Sequence, residues 1–223
     1  MWLWSAAGFR EVIKMDLFIF AVELIGTFAF AASGAMRAVS KRMDAFGVVM
    51  LGVITAVGGG VMRDVILGIH PPAAFEKPLY AALAAASSAL FFFPFVRRRL
   101  YGDSSRFERV LFWMDSLGLG AFTVTGISAA LAAGGESGFL LISLGVMTGT
   151  GGGVLRDLLA GSTPYIFTKE IYACASIAGG IIYLSLYSLL GEKLSGAAAI
   201  GAVVMIRYLA VKFRWNLPTF FEG

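Results

Sequence analysis

Gly58-Gly59-Gly60-Val61-Met62-Arg63-Asp64 returns 93 positions later as Gly151-Gly152-Gly153-Val154-Leu155-Arg156-Asp157. The match continues at the same offset, pairing Gly52 with Gly145, Gly68 with Gly161 and Pro71 with Pro164. Upstream, at an offset of 92, Glu23 pairs with Asp115, Gly26 with Gly118, Phe30 with Phe122, Ser33 with Thr125 and Gly34 with Gly126. Self-similarity at one long period marks a duplicated structural unit.

The rest of the chain decides what kind of unit this is. Of its 223 residues, 58% are hydrophobic and 14% charged, and the mean hydropathy is +0.82, too apolar for a soluble surface. A membrane helix needs about 20 mainly apolar residues. Seven stretches fit: Leu17 to Met36, Ala45 to Leu67, Pro78 to Val96, Val110 to Ala133, Gly138 to Ala160, Ile171 to Leu190 and Ser195 to Val211. Leu79 to Phe93 carries no charge and no polar alternation, which excludes a β-barrel and leaves helices. The fold class expected is an all-α polytopic membrane protein with seven transmembrane helices. Residues 1–14 form an N-terminal extension, 15–97 the first three-helix repeat and 98–109 a basic connection. Residues 110–191 form the second repeat, and 192–223 the seventh helix and tail. Arg10 and Lys14 before an apolar run ending in Ala29-Phe30-Ala31 imitate a signal peptide, but the duplication requires this first helix to be retained.

An odd number of spans per repeat makes the second copy enter the membrane from the opposite face, so the copies are inverted repeats. Basic residues divide twelve to four between the two faces, with Arg37, Lys41, Arg42, Arg97, Arg98 and Arg99 on the richer side. That face is cytoplasmic by the positive-inside rule, which places the N-terminus outside and the C-terminus inside. The net charge of +4 is then a topology signal, and nucleic acid is not an expected partner. Cys174, the single cysteine, forms no intramolecular disulfide and is expected to be a small packing residue.

Three consecutive glycines cost a helix roughly 1 kcal/mol each in water, so Gly58, Gly59, Gly60 and Gly151, Gly152, Gly153 are expected to break or kink their spans where they line a wet path. Close helix packing through small residues is the alternative. Intramembrane charge is normally paired and turned inward. Arg63 lies about 6 Å from the end of its span and Glu23 about 9 Å from the same face at the helical rise; Asp115 and Arg156 are matched likewise at the other face. Two clusters follow, Glu23 with Arg63 and Asp64 outside, and Asp115 with Arg156 and Asp157 inside. Snorkelling of each Arg-Asp pair is the bland alternative, but it would not require Glu23 and Asp115 to recur. Between the clusters stand Ser33, Thr55, Thr125, Thr148 and Thr150, hydroxyls suited to replacing part of an ion's hydration shell, though each is also able to bond the preceding turn.

No nucleophile elbow, phosphate loop, dinucleotide fingerprint or zinc spacing is present in the sequence. No enzymatic activity, catalytic residue, cofactor or metal is expected, and His70, next to Pro71-Pro72, reads as a turn residue.

Two G-G-G-x-x-R-D segments in a duplicated seven-helix chain resemble the bacterial branch of the trimeric intracellular cation (TRIC) channel family, over nearly the whole chain from Met15 onward. The resemblance implies a homotrimer in which each subunit has its own pore, enclosed by the first two helices of each repeat and kinked at Gly58 to Gly60 and Gly151 to Gly153, with Arg63, Asp64, Arg156 and Asp157 at matching positions. It also implies passage of monovalent cations, chiefly potassium with sodium. The lysine-glutamate motif of animal members is absent, so their regulation and lipid binding do not transfer. Arginines beside a cation path need neutralising carboxylates, and the clusters are expected to act as latches at the two mouths. A secondary carrier working by alternating access shares the inverted-repeat signature; a membrane scaffold or lipid-binding protein is a third reading.

Overall fold

The computed structural model describes residues 17–93, 96, 103–168 and 171–215. The expected N-terminal extension, the run Arg97 to Arg99, Lys169 and the end of the tail lie outside them. Among the described residues all regular structure is helical: α1 (Leu17–Ser40), α2 (Ala45–Ile66), α3 (Ala73–Glu76), α4 (Pro78–Ala89, closed by a 3-10 turn Leu90–Phe92), α5 (Ser104–Ala132), α6 (Gly138–Leu159), α7 (Tyr165–Thr168) and α8 (Tyr172–Phe213). Five of these, α1, α2, α5, α6 and α8, are long and apolar enough to cross a bilayer, and Pro78–Phe92 is a shorter apolar helix. Large apolar side chains face outward, among them Phe139 at 84% and Leu189 at 78% exposure, while the largest fully buried side chain is Arg156. That inversion of the soluble pattern is what lipid as a solvent demands.

Several boundaries differ from those expected. α1 runs on to Ser40 and so carries Arg37. α5 begins at Ser104, where Asp103 accepts from the Ser105 and Arg106 amides at 2.9 and 3.3 Å, an N-cap that the apolar run does not reveal. The sixth and seventh expected spans fall within the 42 residues of α8, which as a straight helix would be about 63 Å long. Gly191, at φ 71 and ψ 176, interrupts it. A methyl on Gly179 would come within 2.3 Å of Val203 Cγ2, a contact possible only if the chain folds back at Gly191. Glu192, just past the reversal, accepts from Ser128 Oγ at 2.6 Å and so ties the turn to α5. Cys174 is exposed on the outer face of α8, not packed inside.

The expected breaks at the glycine triplets are absent. α2 and α6 run as unbroken helices through Gly58 to Gly60 and Gly151 to Gly153. The glycines serve the crossing of the two helices. A Cβ on Gly59 would stand 2.1 Å from the Thr148 carbonyl oxygen, and one on Gly152 would stand 2.1 Å from that of Thr55. Thr55 and Thr148 are repeat equivalents, as are the two glycines, so each copy makes the other's contact. Residue numbers rise on one helix as they fall on the other, which makes the crossing antiparallel. Such reciprocity defines a pseudo-two-fold axis across the helices. α1 and α5 meet on the same axis, where the equivalents Phe30 and Phe122 touch at 5.2 Å between ring centroids. Backbone approach this close repays the helix cost of glycine with dispersion contact, and within a bilayer it leaves every main-chain hydrogen bond intact.

Gly152→Ala should therefore lower the thermal stability of purified protein by about 1–3 kcal/mol, the usual cost of overpacking a tight contact. Gly201→Ala, where a methyl meets nothing within 4 Å, should leave the melting temperature level or raise it.

Candidate functional site

The ends of α2 and α6 are built alike. Gly68 and Gly161, at φ 71 and 62, close each helix in a left-handed turn, with Ile69 N donating to Asp64 O at 2.9 Å and Ser162 N to Asp157 O at 2.8 Å. The turns bring the following short helices back over the motif. The Ala73 amide donates to Asp64 Oδ2 at 2.9 Å, and the Tyr165 amide to Asp157 Oδ2 at 3.1 Å. Each arginine grips its neighbouring aspartate, Arg63 Nε to Asp64 Oδ1 at 2.8 Å and Arg156 Nε to Asp157 Oδ1 at 2.8 Å.

The structure brings together both sets of expected charges, in different states. In the second-repeat cluster Arg156, Asp115 and Asp157 are fully buried. Arg156 NH1 donates to Asp115 Oδ1 at 2.6 Å and reaches across the axis to Ser33 Oγ of the first repeat at 2.9 Å. Asp115 also accepts from Arg207 NH1 at 2.7 Å and from Tyr172 OH at 3.4 Å. Arg37 Nε stands 3.8 Å from Asp157 Oδ1, and its guanidinium donates to the Tyr165 hydroxyl. Burial pushes the Tyr165 phenol above its ordinary pKa against the opposing charges of Arg37 and Arg156. The network leaves the three charged groups Asp115, Arg156 and Asp157 without exposed surface.

In the first-repeat cluster Glu23, Arg63, Asp64, Ala73 and Tyr80 line a small open cavity. Glu23 accepts from the Tyr80 hydroxyl. Among the described residues Arg63 bonds only Asp64, and no ion pair joins it to Glu23. A larger cavity lies beside Arg207 against Phe112, Trp113 and Tyr208.

The hydroxyls lie where packing, not an open path, holds them. Thr55, Thr148 and Thr150 donate to the carbonyls of Leu51, Leu144 and Val146 at 2.6, 2.6 and 2.8 Å. Thr55 and Thr148 also fill the notches at Gly34 and Gly126. Ser33 donates to Phe30 O at 3.3 Å, while the Thr125 hydroxyl is buried with no partner among the described residues. Sequence reasoning missed Arg207, Arg37 and the tyrosines. A signal for the tyrosines existed, since Tyr80-Ala81 recurs as Tyr172-Ala173 at the offset of 92; Arg207 lies outside the duplication and has none. Among the described residues no group of three or more His, Cys, Asp or Glu side chains is placed to hold a metal ion.

A family model described as "Glycine transporter" matches residues 20–95 and again 112–188, the two halves of the duplication. The inner membrane protein YadS of Escherichia coli K12, from the UPF0126 group, is 37% identical over 211 residues, covering 92% of this chain and 97% of YadS. Among solved structures, a prokaryotic TRIC channel superposes with a TM-score of 0.82 at 32% identity, over 91% of this chain and all of that one. The TRIC orthologue from Rhodobacter sphaeroides gives 0.80 at 34% identity, over 88% of this chain and 98% of its own.

Arg156→Gln should cost about 3–5 kcal/mol of stability, because it strands the buried carboxylates of Asp115 and Asp157. Arg63→Gln, beside an open cavity, should cost clearly less. Thermal unfolding of the two variants in one detergent checks the difference.

Proposed function

This chain belongs to the bacterial TRIC family, whose domain it carries twice, and from that premise we propose that it is a channel for monovalent cations, potassium with sodium, with one pore in each subunit of a homotrimer. The observation that supports this best is the pair of equivalent arginine–carboxylate clusters at the ends of an inverted-repeat core, in a fold that superposes on solved TRIC cation channels over nine-tenths of the chain. The path would run between α1, α2, α5 and α6, entered through the cavity at Glu23 and Arg63 and closed beyond it by the Arg156 network. With α8 counted as two crossings about Gly191, the protein has seven spans: repeats at 15–97 and 110–191, the connection 98–109 between them and an accessory last helix from 192. The N-terminus lies outside and the C-terminus in the cytoplasm, in the inner membrane where YadS is placed.

In this reading the clusters are latches. A cation in a low-dielectric passage is repelled by an unpaired arginine, and the carboxylates remove that barrier. The glycines act as the crossing that holds α2 and α6 together, not as hinges in broken helices. A second reading, a carrier working by alternating access, is favoured by the name of the matching domain and by the inverted repeat.

Purified protein in planar bilayers under a potassium chloride gradient should show discrete cation-selective openings, and Arg63→Ala should raise conductance or open probability. Silent bilayers together with saturable glycine uptake into proteoliposomes would establish the carrier instead. Unaltered conduction in both Arg63→Ala and a folded Arg156→Ala would sink the latch.

A further inference from the structure

The two clusters are built from equivalent residues but make different contacts. Four residues of the second have equivalents in the first: Asp115 corresponds to Glu23, Arg156 to Arg63, Tyr172 to Tyr80 and Ser33, contributed by the opposite repeat, to Thr125. Three features agree in the two places. The arginine holds its neighbouring aspartate, that aspartate accepts a backbone amide of the following short helix, and the tyrosine donates to the α1 or α5 carboxylate. Among these equivalent residues the difference lies at the arginine's far end. Arg156 spans to Asp115 and to Ser33 across the axis; Arg63 makes neither equivalent bond, and Thr125 is left as a hydroxyl at 1% exposure with no partner among the described residues.

An unsatisfied buried hydroxyl costs a membrane protein free energy unless another state uses it. Thr125 also departs from Thr55, Thr148 and Thr150, each of which bonds the carbonyl one turn back. We propose that the first-repeat end has a second, closed state in which the far end of Arg63 bridges Glu23 and Thr125, as Arg156 bridges Asp115 and Ser33. Thr125 is then a positioning residue, the hydroxyl that receives the guanidinium from the other repeat. This deepens the latch reading and rests on it. Arg207 has no counterpart in the first cluster, so the second latch carries an extra cation on Asp115 and the first does not; the first is the one built to open and close.

The test reads access to the cavity without any current. Val57 lines the first-repeat cavity and lies deeper along α2 than Arg63. Val57→Cys, in a Cys174→Ser background, is labelled in detergent with a charged methanethiosulfonate. Asp64→Asn removes the ion pair that restrains Arg63 while its amide oxygen still accepts from Ala73 N–H, so labelling should slow by about tenfold or more, the weight of one hydrogen bond to a charged group. Adding Thr125→Val should restore the fast rate, and Thr125→Ser in its place should keep it slow. Unchanged labelling in Asp64→Asn, or slowing that survives Thr125→Val, overturns the proposal. If Asp64→Asn does not fold, Thr125→Asn, whose longer side chain meets Arg63 sooner, should label more slowly than Thr125→Val, and equal rates overturn it. Protection that depends on Thr125 in a protein that passes no current would refute the channel and keep this state; current without such protection does the reverse.

Discussion

Everything in this protein hangs on the distance at which α2 and α6 cross. Thr148 and Thr55 present main-chain oxygens where any side chain larger than hydrogen on Gly59 or Gly152 would collide. Because the contact is made twice, once by each copy, the crossing fixes the axis about which the whole duplicated unit is arranged. Phe30 and Phe122 lie on that axis, and the pairs Gly34 with Thr55 and Gly126 with Thr148 seat α1 and α5 against their own partners in matching notches. The reach of Arg156 to Ser33 follows, since a guanidinium on one repeat finds a hydroxyl on the other only when the helices are this near.

Given that scaffold, electrostatics explains why the two ends differ. A fully buried arginine is tolerable only with its donors spent, and Arg156 divides its bonds among Asp115, Asp157 and Ser33. The aspartate so engaged is in turn shared with Arg207, whose guanidinium stacks 4.6 Å over the Tyr172 ring. Each member satisfies another, which makes the network costly to take apart one residue at a time. Arg63, at 9% exposure, has its charge met among the described residues by Asp64 alone and faces a cavity with Glu23.

The duplication was legible because six of seven motif residues recurred with their flanks, and the charge clusters because depth along a helix can be counted from sequence. What stayed hidden had physical reasons. The helix cost of glycine is measured in water, where breaking a helix exposes its amides to solvent that satisfies them; in lipid the same break strands them, so the triplets Gly58 to Gly60 and Gly151 to Gly153 pack instead of bending. The threonines looked like pore groups, but a hydroxyl one turn above a free carbonyl bonds it locally, as Thr55 and Thr148 do. Arg207 gave no sign of its role because its partner, Asp115, lies 92 residues away in a different helix. The connection between the sixth and seventh spans was legible in the pause after Leu190, but not that a single residue, Gly191 at φ 71 and ψ 176, makes the reversal.

The last helix stands outside the duplication, and its effect is electrical as well as structural. At one end two carboxylates, Glu23 and Asp64, stand with one arginine, which among the described residues pairs with Asp64 alone; at the other two carboxylates, Asp115 and Asp157, meet Arg156, Arg207 and Arg37. A backbone nearly symmetric about its axis therefore carries an asymmetric charge, negative in sum at one end and positive at the other. A voltage applied along the helices does work on each unit charge it moves, roughly 2.3 kcal/mol per 100 mV over a full crossing. Its pull on the two ends is opposite in sign, so the molecule has a forward and a reverse direction that the duplicated fold alone would not give it.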